Sequence, residues 1–298
     1  MTDRPVLLYL HIPKTAGTSL TEVIYNQYND ATGSRAEADF FCNGVYYYPG
    51  EPELSPARWG GPWAWKCAKD DSDRIARSSS IVRAVTRNDL QAVVGHFGFG
   101  LHTIIDKPTT YMTIFRHPVE RIASLFHHLA RWPSYGNNEP WLKLAGLSPL
   151  SKDVTLGDFI RDYRLCDLDN DQTRRVAGED PEFGRCTRSL LELAKANIEQ
   201  HFSFVGVTER FNESLKAAAD VLKWPNQPKA EKKLANEHRE ETSLIPLRTR
   251  EAILERNTLD LELYSFANKW LNDCLRTSTS TARNVSDLPH EGSSRFNP

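Results

Sequence analysis

The sequence predicts an α/β protein, built on a parallel sheet with helices on both faces. Three observations predict it. Four short apolar runs, Val6–Ile12, Gln91–Phe97, Thr110–Phe115 and Phe202–Val207, are rich in β-branched or aromatic residues, as strands are. The first, third and fourth lead into stretches with helical spacing, and alternating strand and helix marks a parallel sheet. The strands are apolar, which suits burial on both faces.

Taken in order, Val6–Ile12 is a buried strand that ends in Pro-Lys-Thr-Ala-Gly-Thr-Ser. From Thr18 the apolar residues Leu20, Val23, Ile24 and Tyr28 recur at helical spacing, with Thr18 and Ser19 as capping types before the helix. Residues 30–88 are irregular. They hold Tyr46, Tyr47, Tyr48, Trp59, Trp63 and Trp65, then Arg74, Arg77, Arg83 and Arg87 on an expected helix. Helix Glu120–Arg131 follows the third strand, and a second irregular stretch covers 131–165. Helix Glu209–Leu222 follows the fourth strand, and one last helix is expected from Arg248 to Cys274. Beyond it the chain is polar, Ser/Thr-rich and aperiodic, so 276–298 is expected to be a disordered tail. The organisation is thus one domain over 1–275, with 30–88 and 131–165 as insertions on one side of the sheet.

Composition removes several function classes. The formal net charge of the 298 residues is −2, so there is no global basic field to bind nucleic acid without specificity. No run is long and apolar enough to span a membrane. The opening MTDRPVLLYLHIPK lacks a basic leader and a small-residue cleavage site, so it reads as a core strand and the chain is expected to be cytoplasmic. Five scattered cysteines, without CxxC or zinc spacing, read as free thiols, and no metal is expected.

Two motifs carry the chemistry. In the first, Lys14, Thr15, Ala16, Gly17, Thr18 and Ser19 join a strand to a helix. Free backbone N–H groups, a helix N-terminus and a lysine make an anion cradle. It is not the GxxxxGK[ST] loop, because the lysine comes early and there is one glycine. The plain alternative is a capped turn that binds nothing. In the second motif, Arg116 ends a strand, Pro118 can open a helix, and Ser124 lies about two turns on. Arg116 can fork onto a phosphate with Ser124 as a further donor, or it can pair with a surface carboxylate.

The pair of motifs resembles the sulfotransferases that use 3′-phosphoadenosine 5′-phosphosulfate. The chain is most similar to the branch with heparan sulfate 2-O-sulfotransferase and related bacterial carbohydrate sulfotransferases. Gly95-His96-Phe97, Asn170-Asp171-Gln172-Thr173-Arg174, Phe204 to Phe211 and Asn257-x-x-Asp260-x-x-x-Tyr264 extend the resemblance over roughly Leu7 to Leu271. It implies a P-loop-like three-layer fold and sulfuryl transfer to an acceptor hydroxyl, on a carbohydrate by preference. Residues 14–19 would hold the 5′-phosphosulfate, Arg116 and Ser124 the 3′-phosphate. Lys14 would stabilise the leaving oxygen, His96 would act as base, and no metal would take part.

Further candidates stay open. His11, His102 and His117 compete with His96, while His127 and His128 read as packing or surface residues. His11, Asn170, Gln172 and Arg174 are acceptor-side candidates, although Asn and Asp also favour caps. The Trp59–Trp65 region can stack on sugars or form a satellite core, and Arg74–Arg87 can hold an acidic polymer or form a solvated face. A P-loop-like nucleotide kinase and a non-catalytic nucleotide- or carbohydrate-binding protein are the rival readings.

Overall fold

The computed structural model describes residues 4–28, 41–42, 45–48, 87–130, 153–228 and 244–286. Strand β1 (Val6–Leu10) is buried at every residue and passes through a loop into helix α1 (Gly17–Tyr28). Two short strands follow, β2 (Phe41–Cys42) and β3 (Val45–Tyr48), then the fully buried β4 (Ala92–Gly95). Strand β5 (Thr109–Phe115) leads into α2 (Pro118–Ala130). Three helices come next: α3 (Leu156–Asp162), α4 (Asp171–Ala177) and α5 (Arg188–His201). Strand β6 (Phe202–Val207) is followed by α6 (Phe211–Leu222), α7 (Leu247–Arg256) and α8 (Thr258–Ser286).

The strand order is β2-β3-β4-β1-β5-β6, and all neighbours are parallel except β2 and β3. Such a sheet needs apolar cover on both faces, which explains why its strands do not alternate. Residues of α1, α4, α5, α6 and α8 share one core with the strands. A second, smaller core joins α2, α3 and α7 through Ile122, Phe126, Phe159 and Ile253. Helix α3 carries the sequence signal for its own start: Thr155 accepts from the Asp158 N–H, and the Asp158 carboxylate accepts from the Thr155 N–H.

All four predicted strands and the helices after the first, third and fourth are present. Four boundaries differ. Helix α1 starts at Gly17, so Thr18 and Ser19 lie in its first turn. A 3-10 turn at Thr208–Arg210 precedes α6. The single helix expected from Arg248 to Cys274 is two helices that meet at Asn257. There the Asn257 amide donates to the Leu168 and Ile253 carbonyls and accepts from the Asn170 N–H. Those three bonds hold the backbone at φ −125°, ψ 36°, outside helical geometry. Helix α8 continues to Ser286, past residue 276 where the tail is expected to begin. Residues 287–298, Trp59, Trp63, Trp65, Arg74, Arg77 and Arg83 lie outside the described residues.

Strand β1 lies between β4 and β5, and the chain reaches those neighbours on opposite sides of it. Ligands bind at such switch points, beyond the carboxyl ends of the strands. The register places Leu10 beside Gly95, and the Leu10 carbonyl accepts from the Thr113 hydroxyl of β5. Three loops, each carrying one motif, therefore leave the sheet together.

Candidate functional site

The loop after β1 is held in an unusual backbone form. Lys14 (φ 71°) and Ala16 (φ 66°) both adopt left-handed conformations, which cost a residue with a Cβ. Alternation of left- and right-handed residues turns successive N–H groups toward a common point and makes an anion-binding hollow. Thr15 between them is buried, and its hydroxyl donates to the Ile12 carbonyl at 2.8 Å, which pins the loop from below. The Ala16 carbonyl accepts from the Leu20 N–H and closes the first turn of α1. Thr18 is exposed and Ser19 half-buried at this helix N-terminus, where positive dipole and open N–H groups coincide.

Arg116 reaches the same loop from the end of β5. Its guanidinium donates to the Lys14 carbonyl at 2.9 Å and lies 3.5 Å from Glu120. Gln172 fixes its backbone on both sides, accepting from the Arg116 N–H and donating to the Arg116 carbonyl, each at 2.9 Å. Ser124 is half-buried on α2, one turn beyond Glu120 and on the same helix face. Arg116 thus joins the loop to Glu120 on α2, with Ser124 one turn further along that helix.

His96 follows β4 directly. Its Nδ1 lies 2.8 Å from the His11 carbonyl. A carbonyl only accepts, so Nδ1 carries the hydrogen and Nε2 keeps its lone pair. The His11 and His96 rings pack at 4.2 Å between centroids, and Tyr9 also stacks on His11. Burial pushes the His96 imidazole down to about 4, and the nearby Arg175 charge adds to this. His96 is therefore neutral at pH 7, the state a general base must have. His11 is held well below its ordinary value by burial, then by His96, Arg175 and Lys14.

The other histidines lie elsewhere. His102 packs against His201 near the amino-terminal ends of β5 and β6, the opposite edge of the sheet. Tyr111 accepts from the Gly100 and His102 N–H groups, which leaves its own hydrogen for His102 Nδ1. His117 lies at the start of α2, edge-on to Tyr264, with its N–H donated to Glu209. His127 and His128 are half-buried on α2.

The acceptor-side expectation for Asn170, Gln172 and Arg174 does not fit their positions. All three are buried and their polar groups are committed. Asn170 Oδ1 accepts from the Leu259 and Asp260 N–H groups and so caps α8. Asp260 returns the cap, accepting from the Gln172 and Thr173 N–H groups at the start of α4. Arg174 pairs with Asp169 and Asp180. Asn170 precedes α4 but makes no side-chain cap bond to it; the helix it caps is the distant α8.

The residue the sequence reading passed over is Arg175. It is buried, pairs with Asp171 at 3.2 Å, and its charge acts on both His11 and His96. Asp171 also pairs with the buried Arg121 at 3.2 Å. The nearest sequence signal was the doubled arginine, since neighbours on a helix point in different directions.

A loop of the anion-binding type, two cations and an imidazole at the switch point of a parallel sheet can together serve group transfer from an anionic donor. Comparison with known families agrees: the profile of the sulfotransferase family matches residues 1–267. The chain belongs to the sulfotransferase family. No curated protein matches it in a sequence comparison. Among the described residues, no helix is long and apolar enough to cross a membrane, and no group of three or more His, Cys, Asp or Glu is placed to hold a metal ion.

Proposed function

We propose that the chain transfers a sulfuryl group from 3′-phosphoadenosine 5′-phosphosulfate to a hydroxyl, with a carbohydrate as the favoured acceptor. One observation carries this reading: the Lys14 loop, Arg116 and His96 meet from three separate strand ends, with Arg116 bonded to the Lys14 carbonyl and His96 to the His11 carbonyl just before the loop. The fit to this donor is chemical. The hollow and the α1 N-terminus suit the 5′-phosphate, and Gly17 adds no side chain there. Arg116 and Ser124 suit a second phosphate, which ATP lacks at the 3′ position. The likeness to the heparan sulfate 2-O-sulfotransferase branch supports the carbohydrate acceptor.

In this reading the N–H groups of residues 15–19 orient the donor. Lys14 neutralises charge on the bridging oxygen as its bond to sulfur breaks. His96 Nε2 takes the hydroxyl proton as the acceptor oxygen bonds to sulfur. The products are a sulfate ester and adenosine 3′,5′-bisphosphate. Asn170, Gln172 and Arg174 act as framework, with Gln172 aligning Arg116. No step in this reading needs a metal, nucleic acid or a membrane.

The test is thermal stability with adenosine 3′,5′-bisphosphate, AMP, or ATP with magnesium. A ligand at about one hundred times its dissociation constant adds about 2.7 kcal/mol. Stabilisation by the bisphosphate alone is expected, and stabilisation only by ATP with magnesium would overturn the donor assignment in favour of a kinase. An acceptor screen follows, with His96→Ala expected to bind the bisphosphate while losing turnover. Donor binding with no transfer to any acceptor would favour a binding protein.

A further inference from the structure

We propose that His11 is a positioning residue that ties the anion loop to the base, its ring wedged between Gly17 and His96. The inference rests on His96 being the base. His11 acts as neither a substrate ligand nor a second base, because its ring is packed against Gly17, Tyr9 and His96. Its Nε2 faces the backbone of Gly17 so closely that a Cβ added there would lie 1.7 Å from it, while real Cβ contacts do not fall under 3.0 Å. Its other face meets His96 at 4.2 Å, and its carbonyl sets the His96 tautomer. Tyr9 closes the stack at 5.5 Å. One ring thus spaces the first residue of α1, where the anion would bind, from the imidazole that would take the proton.

This gives Gly17 a specific reason. Helix propensity favours alanine at its position, and its φ is not left-handed. What forbids a side chain is the His11 ring. Displacement of that ring must disturb loop and base together, because both lean on it. The groups that face His96 are His11 just after β1, Arg175 and Asp171 from α4, and Asp167 just before α4. Of these, His11 also lies against Gly17, the first residue of the loop's helix.

The experiment is a double-mutant cycle of Gly17→Ala and His11→Ala, read by thermal stability and by affinity for adenosine 3′,5′-bisphosphate. Gly17→Ala should weaken affinity at least about tenfold in the wild-type background and less than about threefold beside His11→Ala, since couplings of this size arise between touching residues. Equal losses in both backgrounds would overturn the proposal, because Gly17 would then serve the anion directly. The second readout is the His96 imidazole, followed by nitrogen NMR against pH. His11→Ala uncovers one ring face, so the His96 titration should move up toward its ordinary value, and His11→Phe should restore the low value. An unmoved titration would overturn the proposal. Stability and NMR need no turnover, so they remain decisive if the donor or the base assignment fails; that failure shows separately, as absent bisphosphate binding or as near-normal turnover of His96→Ala.

Discussion

Two regions of this molecule are rich in charged and amide side chains, and they use them in opposite ways. At the carboxyl edge of β1, β4 and β5, Lys14, Ser19, His96 and Ser124 are half-buried, and the loop that gathers them holds two strained residues. Around α4, Asp171, Gln172, Thr173, Arg174 and Arg175 are buried in succession and their bonds run inward. The comparison teaches that a polar motif is a site only where its groups still face outward. Burial changes the meaning of the same residue type: a buried ion pair must be satisfied by its neighbours, and a satisfied group has little left for a ligand.

The largest effect should come from the inward region. Asp171→Ala takes away the carboxylate shared by the buried Arg121 and Arg175 and should cost about 3–5 kcal/mol, measured by urea denaturation. Normal stability with lost turnover would instead place Asp171 in the working edge and blur the comparison. Lys14→Ala is its mirror image. Turnover should fall roughly 10²–10³-fold, about 2.7–4 kcal/mol in the barrier, with the melting temperature nearly unchanged. A large drop in melting temperature would make Lys14 a framework residue.

Asn170→Ala should be milder. It uncaps α8 and should remove about 1–2 kcal/mol, while the affinity of the folded protein for its acceptor stays the same. A raised acceptor KM at full stability would return Asn170 to the acceptor side.

A further effect concerns pH. His96 is depressed from 6.5 to about 4 in the folded chain. Between those values the unfolded chain binds the extra proton, so the contribution of His96 to stability is present above about pH 6.5 and lost as pH falls toward 4. His96→Asn should flatten that part of the stability curve. The acid limb of kcat/KM should likewise appear only below about pH 5, since the base stays neutral above it. A limb centred near 6.5 would mean that His96 is well solvated.

The strands, most helices and the loop that joins β1 to α1 were legible in sequence because they depend on short-range pattern. Apolar runs of six or seven residues and Lys-Thr-Ala-Gly-Thr-Ser are local statements about burial and backbone N–H groups. The break at Asn257 was not legible, because it depends on the Leu168 carbonyl and the Asn170 N–H, 89 and 87 residues away. The same distance hid the roles of Asn170 and Asp260, which cap each other's helices across the core.

The sequence by itself determined that this chain builds a parallel sheet and that a strand, a lysine-bearing loop and a helix follow one another. Only the tertiary structure decided which polar residues face outward. Gln172 reads as a ligand until its amide is seen clasping Arg116, and His11 reads as a second base until its ring is seen filling the space beside Gly17. The physical reason is that hydrogen-bond satisfaction and steric exclusion belong to pairs of residues. Strand register, not chain neighbourhood, brings those pairs together.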